Sequence, residues 1–166
     1  MYNYRVDHIP PNTQNRKRPG LKMTPEFITI HNTGNEKSTA KNERAWLTNL
    51  QNTRTASYHI VIDEHEAIEC IPLNEVAWHA GDGNRKGNRA SIGIEICESG
   101  DYQKTWRNAV HLAARLLHER KMGTDKLRRH FDWSGKICPR LMHDNGTWRT
   151  WFKFVEEVKE KLKEFK

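Results

Sequence analysis

Residues 91–97 read Ser91-Ile92-Gly93-Ile94-Glu95-Ile96-Cys97, a strict alternation that predicts a β-strand. Ile92, Ile94 and Ile96 share one face, and Ser91, Gly93, Glu95 and Cys97 share the other. So regular an apolar row belongs to a central strand packed on a core. A carboxylate buried without a partner on such a strand is strongly unfavourable, so Glu95 needs a partner or a cleft. That makes Glu95 a candidate for chemistry.

Upstream, Phe27–His31 is a second β-rich run, with Ile28 and Ile30 on one face and Thr29 and His31 on the other. Ser57–Ile62 and Ala67–Ile71 predict two further strands, joined as a hairpin through Asp63-Glu64-His65-Glu66. Lys41–Leu50 predicts a short helix with Trp46 and Leu50 on one side. Between the hairpin and residue 91 lies the loop Trp78–Arg89, rich in Gly and Asn, the composition of a binding loop. Downstream, Thr105 is placed to cap an amphipathic helix with the stripe Trp106, Ala109, Val110, Ala113, Leu116 and Leu117, ended by Gly123. Leu127–His130 returns as a short strand, and Thr147–Lys166 predicts a final helix with Trp148, Trp151, Phe152, Val155, Val158 and Leu162 inward. Residues 1–26 carry Pro10, Pro11, Pro19 and Pro25 and read as an extended arm docked on the body. The order of elements predicts one α/β domain over residues 1–166, a mixed central β-sheet flanked by helices.

A net charge of +7 attracts polyanions, but the basic residues are scattered apart from Arg16-Lys17-Arg18 and one face of the last helix. Arg and Lys do not interleave with aromatics, so a nucleic-acid partner is not expected. A run of ~18 apolar residues is lacking, which argues against membrane insertion. The first residues have no apolar core of a signal peptide, so the chain is expected to be made in the cytoplasm. Three cysteines, Cys70, Cys97 and Cys138, are too few and too odd for a disulfide framework. Cys70 and Cys97 sit in apolar runs and read as small buried hydrophobes.

Nine histidines stand in the chain, most with ordinary readings. His111 and His118 lie along the long helix, His8, His65 and His143 read as surface residues, and His59 is either a hydrogen-bonded core histidine or a site residue. His31 and His130 differ, because each ends a predicted strand and leads into a turn. Eight residues after His130 comes Cys138, with Lys136 two residues ahead of the sulfur. Pro139 suits the first turn of a short helix through Arg140, Leu141 and Met142, whose dipole would favour the Cys138 thiolate. His31, His130 and Cys138 together have the composition of a three-ligand catalytic zinc site with a fourth position left for water. A structural zinc would want paired Cys-x-x-Cys spacings, and the sequence has none.

The motifs Ile30-His31-Asn32-Thr33, Ser57-Tyr58-His59, Trp78-His79-Ala80-Gly81-Asp82-Gly83, Asn88-Arg89-Ala90-Ser91-Ile92-Gly93-Ile94-Glu95 and His130-x5-Gly135-Lys136-x-Cys138-Pro139 occur in that order. As a set they closely resemble the zinc-dependent N-acetylmuramoyl-L-alanine amidases of the phage-endolysin, autolysin and peptidoglycan-recognition-protein type, over about residues 20–155. The resemblance implies the fold of that family, one zinc ion held by His31, His130 and Cys138, Glu95 as the catalytic carboxylate and Lys136 as an aid to the reacting carbonyl. It implies peptidoglycan as substrate, cut between N-acetylmuramic acid and L-alanine by a monomer that meets the wall after release at lysis. Trp78 and His79 would contact sugar or peptide and Asn88 would donate hydrogen bonds to it, with Trp78 equally readable as a core anchor. Non-catalytic members that only bind muropeptides typically lack the cysteine, so Cys138 favours an enzyme over a binding module. Some phage members use a tyrosine in place of the glutamate; strand alternation would put Tyr58 with Ile60 and Ile62 on the core face, which favours Glu95.

Overall fold

A computed structural model describes residues 1–165; Lys166, the last residue of the expected C-terminal helix, lies outside the described residues. In chain order the strands are β1 (Asn3–Val6), β2 (Phe27–Asn32), β3 (Ile60–Ile62), β4 (Glu66–Glu69), β5 (Ser91–Ile96) and β6 (Leu127–Arg129). The α-helices are α1 (Ala40–Thr48), α2 (Lys86–Arg89), α3 (Tyr102–Glu119), α4 (His130–Ser134) and α5 (Arg149–Leu162). The six strands form one mixed sheet in the order β1-β4-β3-β5-β2-β6. β5 lies inside it, parallel to both β3 and β2, and the one antiparallel pair is the β3–β4 hairpin. The fold class expected from the sequence is the one observed.

The alternation along β2 and β5 separates two cores. Ile28, Ile30, Ile92, Ile94 and Ile96 pack on the α3–α5 side, with Leu112, Leu116, Trp151 and Phe154. Val61, Ile68, Cys70 and Cys97 face the other way, onto Ala40 and Leu47 of α1. The polar members of β2 and β5 therefore look toward the α1 side. The register sets His31 directly beside Glu95, and Glu95 beside Val61 of β3. Both side chains stand near the carboxyl ends of parallel strands, where open α/β sheets collect ligands.

Several predicted boundaries move, each for a local reason. The N-terminal arm contributes the edge strand β1, parallel to β4, which the sequence hides because Asn3-Tyr4-Arg5-Val6 has no apolar alternation. β3 starts at Ile60 rather than Ser57: the Ser57 amide donates to the Trp78 carbonyl, tying that end to the long loop. β4 stops at Glu69, after which Cys70 donates back to His59 and accepts from Ile9 of the arm. In α1 the buried residues are Ala40 and Leu47, while Trp46 and Leu50 are exposed. α3 starts three residues before Thr105, because the Asp101 side chain accepts from the Lys104 amide as the cap. It ends at Glu119, and the chain then turns at Lys121 (φ 55°) rather than at Gly123. In α5, Phe154 takes the inward place expected for Phe152, which is 59% exposed. No described helix is long and apolar enough to cross a membrane.

Candidate metal centre

β2 delivers His31, β6 hands over to α4 with His130 as its first residue, and the turn after α4 returns Cys138. The Phe131 amide donates to the Cys138 carbonyl (3.1 Å), closing that return. All three side chains are buried, and one ligand atom from each lies within 4.8 Å of the others. His31 Nδ1 is 3.1 Å from His130 Nδ1 and 3.6 Å from Cys138 Sγ. A tetrahedral zinc with ordinary Zn–N and Zn–S bonds requires N···N of about 3.3 Å and N···S of about 3.6 Å. The donor set and its spacing fit such an ion.

Cys138 does not start a helix. Pro139 caps a single 3-10 turn over Arg140–Met142, and Cys138 lies one residue before that cap. Burial, reinforced by Glu95, pushes its thiol up to about 12, against pulls toward the thiolate from the Asn32 amide and Lys136. With no helix dipole at the sulfur, a cation in the cluster is what would make it a thiolate, with release of a proton. Burial likewise holds His31 well below the ordinary imidazole range and His130 at about 4, so both rings are neutral, as metal ligands must be.

Glu95 Oε1 lies 4.0 Å from His31 Nδ1, and Oε2 is buried with no hydrogen-bond partner. Burial, with some help from Glu43, pushes the carboxyl up to about 8. Its unfolded value is near 4.5, so between 4.5 and about 8 the folded metal-free chain holds a proton that the unfolded chain has released. The stability of the metal-free chain should accordingly fall as pH rises through that window. Glu95→Gln should remove this slope, raising the thermal midpoint at about pH 9 by an amount worth at most a few kcal/mol and leaving it unchanged at about pH 4. Equal midpoints of the two metal-free proteins at the higher pH would contradict the burial of this carboxyl.

These groups open on a cavity of about 560 Å³, between the carboxyl ends of the strands and α1. Lys136, itself exposed, reaches the cavity wall and pulls down both Glu95 and Cys138. Trp78 lines the cavity too, with its indole N–H donating to the Arg16 carbonyl of the arm. His79 reaches the wall, but its ring nitrogens stand 3.0 Å from His31 Nε2 and 3.0 Å from the Ser91 carbonyl. Asn88 is not brought to the cavity: its Oδ1 accepts from the amides of His79 and Ala80, and its amide donates to the Gly83 carbonyl. Tyr58 also departs from expectation. It packs on the Val61 side, opposite Ile60 and Ile62, because strand alternation does not extend back beyond Ile60. It lines the cavity, its hydroxyl donates to the Glu43 carbonyl (2.7 Å), and burial holds the phenol well above its ordinary range. His59 is a core histidine, bonded to the Glu75 carbonyl (2.7 Å) and the Gly93 amide (2.9 Å).

Sequence reasoning missed the supports of the cysteine arm. Glu98, just past β5, accepts from the Gly34 amide (2.9 Å) and from the Arg140 guanidinium, while Asn32 Oδ1 accepts from the Leu141 amide (3.1 Å). These contacts tie the turns after β2 and β5 to the segment after Cys138. Only adjacency to His31 and Cys138 could have flagged Asn32 and Arg140; Glu98 carries no such signal.

Residues 21–141 match the family model described as N-acetylmuramoyl-L-alanine amidase. N-acetylmuramoyl-L-alanine amidase XlyB of Bacillus subtilis (strain 168) is 46% identical over 131 residues, 76% of this chain and 40% of that protein. XlyA of the same organism is 45% identical over 151 residues, covering 89% of this chain and 49% of that protein. The chain thus spans about half the length of the curated relatives it matches. Among solved structures, the catalytic domain of XlyA superposes with a TM-score of 0.86 at 42% identity, covering 94% of this chain and 99% of that one. The PlyG catalytic domain superposes with a TM-score of 0.84 at 37% identity, covering 96% and 95%.

Proposed function

This chain belongs to the N-acetylmuramoyl-L-alanine amidase family, and on that premise we propose that it hydrolyses the amide joining the lactyl group of N-acetylmuramic acid to L-alanine in peptidoglycan, using one zinc ion. The observation that carries the reading is the convergence, on one sheet face, of His31, His130 and Cys138 with an unpartnered carboxylate oxygen of Glu95 alongside. His31, His130 and Cys138 would hold the metal. When bound, zinc supplies Lewis acidity, acidifying water and polarising a carbonyl.

The chain's own residues do the rest. Glu95, whose Oε2 has no hydrogen-bond partner, would take a proton from water and return it to the leaving amine. Its carboxyl, protonated at neutral pH in the metal-free chain, would be brought to the ionised form by a cation held beside it at His31. Lys136 brings a cation to the cavity, where it offsets negative charge developing on the carbonyl oxygen. Against a ligand set that includes a thiolate, which removes part of the metal's charge, that second cation counts for more. Trp46 and Trp78 offer apolar faces suited to sugar rings, and Glu43 and Arg54 offer charges along the same wall for the peptide. The domain works as a monomer at the cell wall, where its substrate is.

Mass spectrometry of purified walls digested by the zinc-loaded chain tests the reading. New amino termini should be L-alanine, with intact N-acetylmuramic acid on the glycan. Walls that bind the chain without gaining such termini would reduce it to a binding module, and cuts elsewhere in the stem would reassign the bond.

A further inference from the structure

Four imidazoles run in file beneath the cavity: His59, His79, His31 and His130, each edge-on to the next at centroid distances of 5.6, 5.1 and 4.8 Å. The hydrogen bonds along this file have a direction that can be worked out from its one fixed end. The Ser91 carbonyl can only accept, so His79 Nε2, 3.0 Å away, carries the ring's proton. A neutral imidazole has a single N–H, and the hydrogen-bond partners of the His79 ring include no carboxylate to support a second. His79 Nδ1 is therefore a bare lone pair. His31 Nε2 lies 3.0 Å from it and must be the donor, which leaves His31 Nδ1 as the lone pair that faces His130 and Cys138.

We infer that His79 is a positioning residue: by accepting the Nε2–H of His31, it fixes the tautomer and ring plane in which His31 Nδ1 is presented to the metal. Metal-bound histidines ordinarily hand their distal N–H to a carboxylate or a backbone carbonyl. Here an imidazole stands in that place and relays the bond to the carbonyl of β5. The inference rests on the reading of His31 as a metal ligand.

The surroundings are built to hold that ring. Glycine in the middle of a buried strand is unfavourable unless something approaches closely, and a Cβ on Gly93 would stand 2.6 Å from His79 Cγ. Gly93 thus clears the space in which His79 sits. Its amide donates to His59 Nδ1 (2.9 Å), placing the His59 ring against the far side of His79. From the loop, Asn88 Oδ1 accepts from the backbone amides of His79 (2.9 Å) and Ala80 (2.8 Å). Asn88 is itself held by Asp82, which accepts its amide (3.0 Å) and that of Gly87 (2.7 Å). Two residues that look like substrate contacts in the sequence, His79 and Asn88, thereby become parts of one support behind a metal ligand.

Zinc affinity by chelator competition, together with the cobalt(II) absorption spectrum, tests the inference on the whole chain. His79→Asn sets an amide oxygen where Nδ1 stands and should keep most of the affinity. His79→Gln carries its amide one bond farther, toward Ser91, and should loosen zinc about 10–100-fold with a changed cobalt spectrum. Gly93→Ala, which keeps the imidazole but crowds it, should loosen zinc in the same direction. A merely structural role would lower the thermal midpoint of the metal-free variants while leaving zinc affinity at the wild-type value. Wild-type affinity in His79→Gln, or a His79→Asn variant as weak as His79→Gln, overturns the inference. His31→Ala is the separate control: zinc held as tightly there as in wild type would sink the metal assignment itself, whatever His79 does.

Discussion

Glu95→Ala is expected to keep zinc and the fold while wall hydrolysis falls by about 10²–10⁴-fold, the usual contribution of a positioned general acid–base group. The fold should survive because the lost group contributes little to it. Glu95 Oε2 has no hydrogen-bond partner, and burial works against the charged carboxyl. Zinc should survive because Glu95 lies outside the three-atom cluster, 4.0 Å from His31 Nδ1. The rate should not survive, since among the described residues lining that cavity Glu95 alone has a buried carboxylate oxygen without a partner. Turnover within tenfold of wild type, measured with zinc content confirmed, would move the proton transfer elsewhere. Tyr58 would be the next residue to test, although its hydroxyl is already spent on the Glu43 carbonyl.

Cys138→Ser should weaken zinc binding by more than the 10–100-fold typical of groups that only support a ligand. The substitution changes one atom, from sulfur to oxygen, and barely alters volume at a site that is 5% exposed. A serine hydroxyl does not ionise near neutrality and is a poor ligand for a borderline-soft metal, so the cluster falls from three donors to two. Glu98, Arg140 and Asn32 should continue to hold the turn in place, so a lowered affinity would report the sulfur and not a displaced loop. Unchanged zinc stoichiometry after dialysis would remove Cys138 from the ligand set.

The sheet was legible wherever apolar residues alternate. β5 and β2 declare themselves through Ile92, Ile94, Ile96, Ile28 and Ile30, and the same alternation places His31 and Glu95 on the opposite face. The register that makes those two neighbours cannot be read from either strand alone. Elements held by side-chain or long-range bonds were hidden. β1 exists because β4 offers it an edge, and α3 starts at an aspartate whose capping bond is invisible without coordinates. Phe152 and Phe154 are two residues apart, and the choice between them depends on how α5 lies against α3.

Within the site, the residue types of the candidate metal cluster were readable, because few side chains combine borderline-soft donors with strand ends. What those residues rest upon was not. His79 and Asn88 looked like ligand contacts because they sit in a glycine-rich loop, yet the loop folds inward and their polar atoms are spent on His31, Ser91 and the loop backbone. The expected dipole at Cys138 also failed for a physical reason, since a single 3-10 turn that begins beyond Pro139 has no helix to supply one.

Zinc K-edge X-ray absorption on the zinc-loaded chain measures the centre most directly. Two nitrogen scatterers at about 2.0–2.1 Å and one sulfur at about 2.3 Å are predicted, with the sulfur shell absent from Cys138→Ser. A zinc shell of nitrogen and oxygen alone in the wild-type protein, or a sulfur shell that persists in the variant, would contradict the assignment of His31, His130 and Cys138.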